Sequence, residues 1–115
     1  MTALANEIYK ALRRTIQTKH SITYKELAEL VSKKLPTHQR SPSFHAALTE
    51  VSERCRASGV PCIAAVVWSA STHRPSEGYY KAAHPRARTD ESKQTAWERE
   101  HAAVVSNAEK FPAAL

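Results

Sequence analysis

Two cysteines, six histidines and a surplus of Lys and Arg are the residues of this chain that could do chemistry. Cys62 follows Pro61 and precedes Ile63-Ala64-Ala65, with no basic group beside it. A thiol reacts as its thiolate, so a cysteine without a pKa-lowering neighbour is a poor nucleophile. Cys62 is therefore expected as a small buried residue at the start of a strand, and Cys55 as a core residue on a helical stripe. A Cys55–Cys62 disulfide is geometrically open across the turn at Gly59, but free thiols are the expectation for an intracellular chain. The histidines at positions 20, 38, 45, 73, 84 and 101 are scattered, and Cys55-x6-Cys62 matches no common zinc spacing. Neither a metal nor a cofactor is expected.

Other catalytic arrangements are missing as well. The only glycines are Gly59 and Gly78, too few for a loop that cradles phosphates. Glu50 and Glu53 stand beside Arg54 and Arg56, as on a solvated helix face, and offer no acid pair for a metal-dependent nuclease. No nucleophile-elbow motif surrounds any serine. What remains is charge: 17 Lys and Arg against 11 Asp and Glu give a net +6. Residues 1–40 hold eight basic and three acidic groups, and residues 60–88 hold four and one. Residues 89–115 reverse the balance, with three basic and five acidic groups. A basic surplus of this kind suits a polyanionic partner, although it says nothing of fold.

The elements that must position these groups are short. Leu4, Ile8, Leu12 and Ile16 recur at four-residue steps, the period of a helix. Thr23 and Glu26 have the spacing of a capping box, opening a second helix with Tyr24, Leu27, Ala28, Val31 and Leu35 inward and Pro36 at its end. Ser41 or Ser43 caps a third helix, with Pro42 in its first turn if Ser41 is the cap. Its stripe is Phe44, Ala47, Leu48, Val51 and Cys55, and Gly59 stops it. Ile63 to Trp68 reads as a strand, and Tyr79-Tyr80-Lys81-Ala82 as its partner across a polar turn. One of the two tyrosines is expected inside and the other at the surface. Thr89, Asp90 and Glu91 open a last helix that carries Trp97, His101, Val104, Val105 and Ala108 inward. The expected fold is α+β: three helices, a β-hairpin and a C-terminal helix, in the outline of a winged helix-turn-helix. It spans residues 1–110 as one domain, with 111–115 as a tail. No apolar run is long enough to span a membrane and no signal peptide is apparent, so a soluble cytoplasmic protein is expected.

Ser21-Ile22-Thr23-Tyr24-Lys25-Glu26-Leu27-Ala28 resembles the segment that begins the helix-turn-helix of the O6-alkylguanine-DNA alkyltransferases and alkyltransferase-like proteins. Phe44-His45-Ala46-Ala47-Leu48 is similar to that family's recognition helix, and Val60-Pro61-Cys62 stands where the family has its Pro-Cys-His-Arg motif. Gly78-Tyr79 resembles its wing, and Trp97 its closing helix. The resemblance implies a winged-helix domain that binds duplex DNA. It does not carry over transfer chemistry, because neither His nor Arg follows Cys62 and Ser41-Pro42-Ser43 replaces the recognition-helix arginine.

These readings converge on a non-catalytic duplex-DNA-binding protein. Helix three is expected to present His45, Thr49, Ser52 and Arg56 opposite its apolar stripe, with Arg40 just before it. The hairpin is expected to add His73, Arg74 and Lys81, followed by Arg86 and Arg88. Lys and Arg would neutralise phosphates, while Thr, Ser and His would reach base edges. Two alternatives stand beside this reading. One is a regulatory module, of a mobile element for example, that binds another protein. The other is a cysteine-dependent enzyme that acts on alkylated DNA through Cys62.

Overall fold

Ile8, Leu12 and their neighbours follow the helical period: Ala3–Thr15 forms α1, with Ala5, Ile8, Tyr9, Ala11 and Leu12 buried. Thr2 caps α1 by accepting from the Ala5 N–H, and its own hydroxyl donates to Glu50 at 2.8 Å. The Thr2 N–H and hydroxyl together hold the Glu50 carboxyl below its ordinary range. Ile22–Thr23 is a strand, β1, and Thr23 at once caps α2, Tyr24–Ser32, in a complete capping box with Glu26. α3 runs Pro42–Ala57 from a Ser41 cap, with its expected stripe buried. Gly59, at φ +72°, turns the chain out of α3 in the left-handed region that glycine enters without a Cβ penalty.

The hairpin expected over residues 63–82 does not form. Ile63–Val66 is a 3-10 turn, and only Val67–Trp68 is extended, as β2. β2 pairs in parallel with β1, Ile22 opposite Val67 and Thr23 opposite Trp68. Tyr79 and Tyr80 lie on a helix, α4 (Glu77–Ala83), and both are buried. The reason is enclosure. Ile63 to Val67 are each no more than 5% exposed, so this run is covered on every side instead of offering one face and one edge. β1 and β2 are joined through α2 and α3, the long crossover that a parallel pair requires.

The last helix, α5 (Asp90–Ser106), begins in a Thr89–Ser92 capping box with Asp90 and Glu91 at its positive end. Trp97 on α5 donates its indole N–H to the Ala65 carbonyl at 2.8 Å, which fastens the helix to the 3-10 turn. The model, a computed structural model, describes residues 1–115. Its radius of gyration of 12.8 Å is close to the ~13 Å expected of one domain of this length. No helix is long and apolar enough to cross a membrane.

Residues 111–115 pack back onto the domain. Phe111 is 3% exposed, the Tyr9 hydroxyl donates to the Pro112 carbonyl, and Arg13 Nε donates to the Phe111 carbonyl at 3.1 Å. Truncating Phe111 would open a cavity among α1 and its neighbours. Phe111→Ala should lower the unfolding free energy by about 3 kcal/mol, read as a reduced urea midpoint at unchanged slope. A loss below about 1 kcal/mol would remove Phe111 from the core.

Candidate functional site: a cleft on α3

The polar side of α3 does not face open solvent along its length. His45, Thr49 and Ser52 line a narrow cleft of about 40 Å3, whose other walls come from Tyr24, Ser76, Gly78 and Tyr79. Leu48, Ala64 and Val67 form its apolar floor. Spacings of four and three residues put positions 45, 49, 52 and 56 on one helix face, as expected. α4 packs on α3 and the middle of that face is covered at Ser52, while His45 at one end and Arg56 at the other stay exposed.

Local bonds set the walls. The Tyr24 hydroxyl accepts the Ser76 N–H at 2.7 Å, joining the first turn of α2 to the loop before α4. Burial raises the pKa of this hydroxyl, and the Ser76 N–H opposes the rise only in part. The His45 ring stands 5.9 Å from the Tyr24 ring. Its Nε2 donates to the Gln39 carbonyl at 2.7 Å, since a carbonyl can only accept. That bond draws the loop carrying Arg40 against the first turns of α3. The Arg40 N–H in turn donates to His38 Nδ1 at 3.1 Å.

Across the cleft lies the loop Ser69–Ser76. Ser69 N–H donates to the Arg74 carbonyl at 2.9 Å, and His73 N–H to the Ser69 carbonyl at 2.8 Å. The closure forces His73 to φ 55°, an uncommon region for a residue with a Cβ. Its ring packs 5.0 Å from that of Trp68. The loop thereby holds His73 and Arg74 exposed, two residues before the cleft-lining Ser76.

The expected site residues divide into three groups. Arg40, His45, Thr49, His73 and Arg74 belong to the cleft and its two bordering loops. Lys81 and Arg88 line a separate groove beyond α4, and Arg86 is exposed in the link that bounds it. Arg56 is exposed at the far end of the α3 face, beside Cys62 and Glu100. Ser52 is a correction. It is 3% exposed and donates to the Leu48 carbonyl at 3.2 Å, so it cannot reach a base edge. Serine buries cheaply in a helix by bonding back to the carbonyl four residues earlier. Tyr24, Ser76 and Tyr79 were not anticipated as walls. Tyr24 had one signal, its place directly after the Thr23 cap.

Cys62 sits behind the cleft, 5% exposed. Burial pushes its thiol up to about 12, the Ser52 hydroxyl opposes this, and the nearby Glu100 carboxylate adds to it. Such a thiol is the reverse of an activated nucleophile. Cys55, fully buried, is raised by the same cause, and both cysteines are free. Compared with protein-family models, with curated proteins and with solved structures, the chain finds no match.

The raised Cys62 pKa has a definite sign. Between 9.0, the ordinary thiol value, and about 12 the unfolded thiol ionises while the folded one stays protonated. Stability is therefore intact below pH 9 and lost as pH rises, at about 1 kcal/mol per unit for a group of this kind. Tyr79, also raised chiefly by burial, acts in the same direction. Urea titrations at pH 7 and pH 10.5 should show the decline, and Cys62→Ala should flatten it. Neither thiol should react with Ellman's reagent at pH 8 until the chain unfolds; fast labelling of native Cys62 would contradict its protected state.

Proposed function

We propose that this chain binds duplex DNA without catalysing a reaction, using the N-terminal half of α3 and the two loops that border its cleft. In this reading α2 and α3 form a helix-turn-helix, and the Ser69–Ser76 loop takes the place of a β-hairpin wing. The observation that carries the proposal is the pairing of Arg40 and Arg74 with the cleft. Each comes from a loop bonded to a cleft residue, and neither has a carboxylate within 4 Å. The wider charge agrees. Of the 17 Lys and Arg, only Lys10 and Lys93 lie that close to an Asp or Glu side chain.

Several contacts follow from the geometry. Ser43, His45 and Ala46 are exposed and Thr49 is half-buried, a small neutral surface that allows close approach to a groove. Arg40 and Arg74 would neutralise phosphates on its two borders, and His45 and Thr49 would meet base edges. Ser52 is buried halfway along α3, so the accessible neutral surface lies at the start of the helix, and the duplex is held there. The resemblance to the alkyltransferase winged helix supports the same partner, while the protonated, enclosed Cys62 supports binding over transfer chemistry.

A salt titration with duplex, single-stranded and RNA probes of equal length tests this. Phosphate contacts from Arg40 and Arg74 alone would lower duplex affinity by about 10-fold between 50 and 200 mM salt. Arg40→Glu combined with Arg74→Glu should abolish binding while the circular dichroism stays unchanged. Salt-independent binding, or no binding to any duplex, would sink the proposal. A nuclease-resistant complex with another protein would favour an interaction module instead.

A further inference from the structure

Beyond α4 lies a second concavity, an open groove of about 390 Å3 between α4 and the start of α5. Glu77, Tyr80, Lys81, His84, Arg88 and Lys93 are among its walls. Three cations face one carboxylate here. Lys81 and Arg88 are exposed and have no acidic partner within 4 Å. Lys93 is held differently: its Nζ bonds both Glu77 oxygens, at 3.1 and 3.4 Å, and lies 5.8 Å from the centre of the Tyr80 ring. His84 is occupied elsewhere, by Glu100 and Tyr79.

We propose that this groove seats phosphodiester groups of the DNA strand that leaves the cleft, and that the Glu77 carboxylate holds Lys93 until a phosphate displaces it. The inference rests on the DNA-binding reading above. Two observations carry it. One is charge: the groove keeps a net surplus of two cations even with Glu77 counted, and a phosphodiester needs cations in such an arrangement. The other is continuity. Gly78 and Tyr79 line the cleft while Glu77 and Tyr80 line the groove, so the two concavities share the first turn of α4. Arg74, at the cleft border, is near enough to Tyr80 to oppose the rise that burial gives its hydroxyl. A backbone passing Arg74 therefore meets Lys81, Lys93 and Arg88 next. Glu77 is 67% exposed at its side chain, so the exchange of carboxylate for phosphate requires no repacking.

The test uses the full chain, a fluorescent duplex and fluorescence anisotropy over a range of salt. Lys81→Gln combined with Arg88→Gln removes two cations and should make the slope of log affinity against log salt shallower by about 2. Glu77→Gln frees Lys93 and should do the opposite, tightening binding about fivefold at 150 mM salt and steepening the slope by about 1. Inorganic phosphate added at constant ionic strength should not compete, because one free anion lacks the neighbouring contacts of the strand. Circular dichroism checks that these exposed substitutions leave the fold intact. If the parent binds duplex with a steep slope and both variants match it, the groove has no part and the cleft reading survives. Competition by inorganic phosphate would make the groove a free-anion site and overturn the proposal. If the parent binds no duplex, both readings fall together.

Discussion

Glu100 is a carboxylate placed where three parts of the chain meet, and the positions of cleft and groove both follow from it. It accepts the Cys62 N–H at 3.2 Å, the Tyr79 hydroxyl at 2.6 Å and the His84 Nε2–H at 3.1 Å. Since a carboxylate only accepts, His84 must carry its proton on Nε2. Even partial burial of a carboxylate is costly, and leaving it unpaired would be worse. Three donors offset that cost, and charge-assisted bonds are stronger than neutral ones. The geometry that satisfies Glu100 also fixes α4 against α5 and against the residue that precedes the 3-10 turn. Tyr79 then becomes a wall of the cleft, and His84 one edge of the groove. The clamp adds to the burial of Tyr79 and Tyr80 in fixing a helix of only seven residues.

A second constraint is the two-residue parallel sheet. It is too small to stabilise a domain alone, since isolated pairs of strands are marginal in water. Its value is geometric. β1 runs directly into the Thr23 capping box, so the pairing of Thr23 with Trp68 sets where α2 begins. Trp68 then carries the loop whose His73 packs over its ring. The sheet thus fixes Tyr24 and the Ser69–Ser76 loop relative to each other, and the Tyr24–Ser76 bond completes the closure. A small polar bond and two short strands position both borders of the cleft.

Legibility in the sequence followed the number of neighbours an element has. α1, α2, α3 and α5 each carry a periodic stripe and a cap residue, and Thr23, Ser41 and Thr89 all stand where caps were expected. Those signals are local, so one sequence suffices. Ile63 to Trp68 and Tyr79-Tyr80 were read as strands and are not, apart from Val67 and Trp68. A segment buried on all sides shows no alternation, and aromatic residues favour strands only where a pleated surface awaits them. Ser76 and Glu77 open α4 without a side-chain capping bond, so its start carries little local signal. The site divided in the same way. Charge and helix face pointed to Arg40, His45, Thr49 and Arg74, which lie at the cleft or on its bordering loops, whereas Ser52 is buried because α4 as a second neighbour of α3 leaves no local trace.

The acidic last quarter of the chain bears on which partner the domain favours. Taken as a block it looks like a docking surface for a basic protein. In the fold its acids are distributed among structural tasks. Asp90 and Glu91 lie in the first turn of α5, where they complement the helix dipole. Glu100 is committed to Cys62, Tyr79 and His84, and Glu98 accepts from the Gln94 side-chain amide at 2.6 Å. Only Glu109 has neither a bond nor a place in such a turn. The basic groups are not absorbed in this way, because Arg40, Arg74, Lys81 and Arg88 stay exposed and unpaired. A charge already bonded within the fold must give up that partner to bind another, while an unpaired one does not. The surface left free to act at a distance is therefore cationic, although the last quarter of the sequence is net acidic. That asymmetry between used acids and unused bases is the physical ground for preferring a polyanion to a basic protein as the partner.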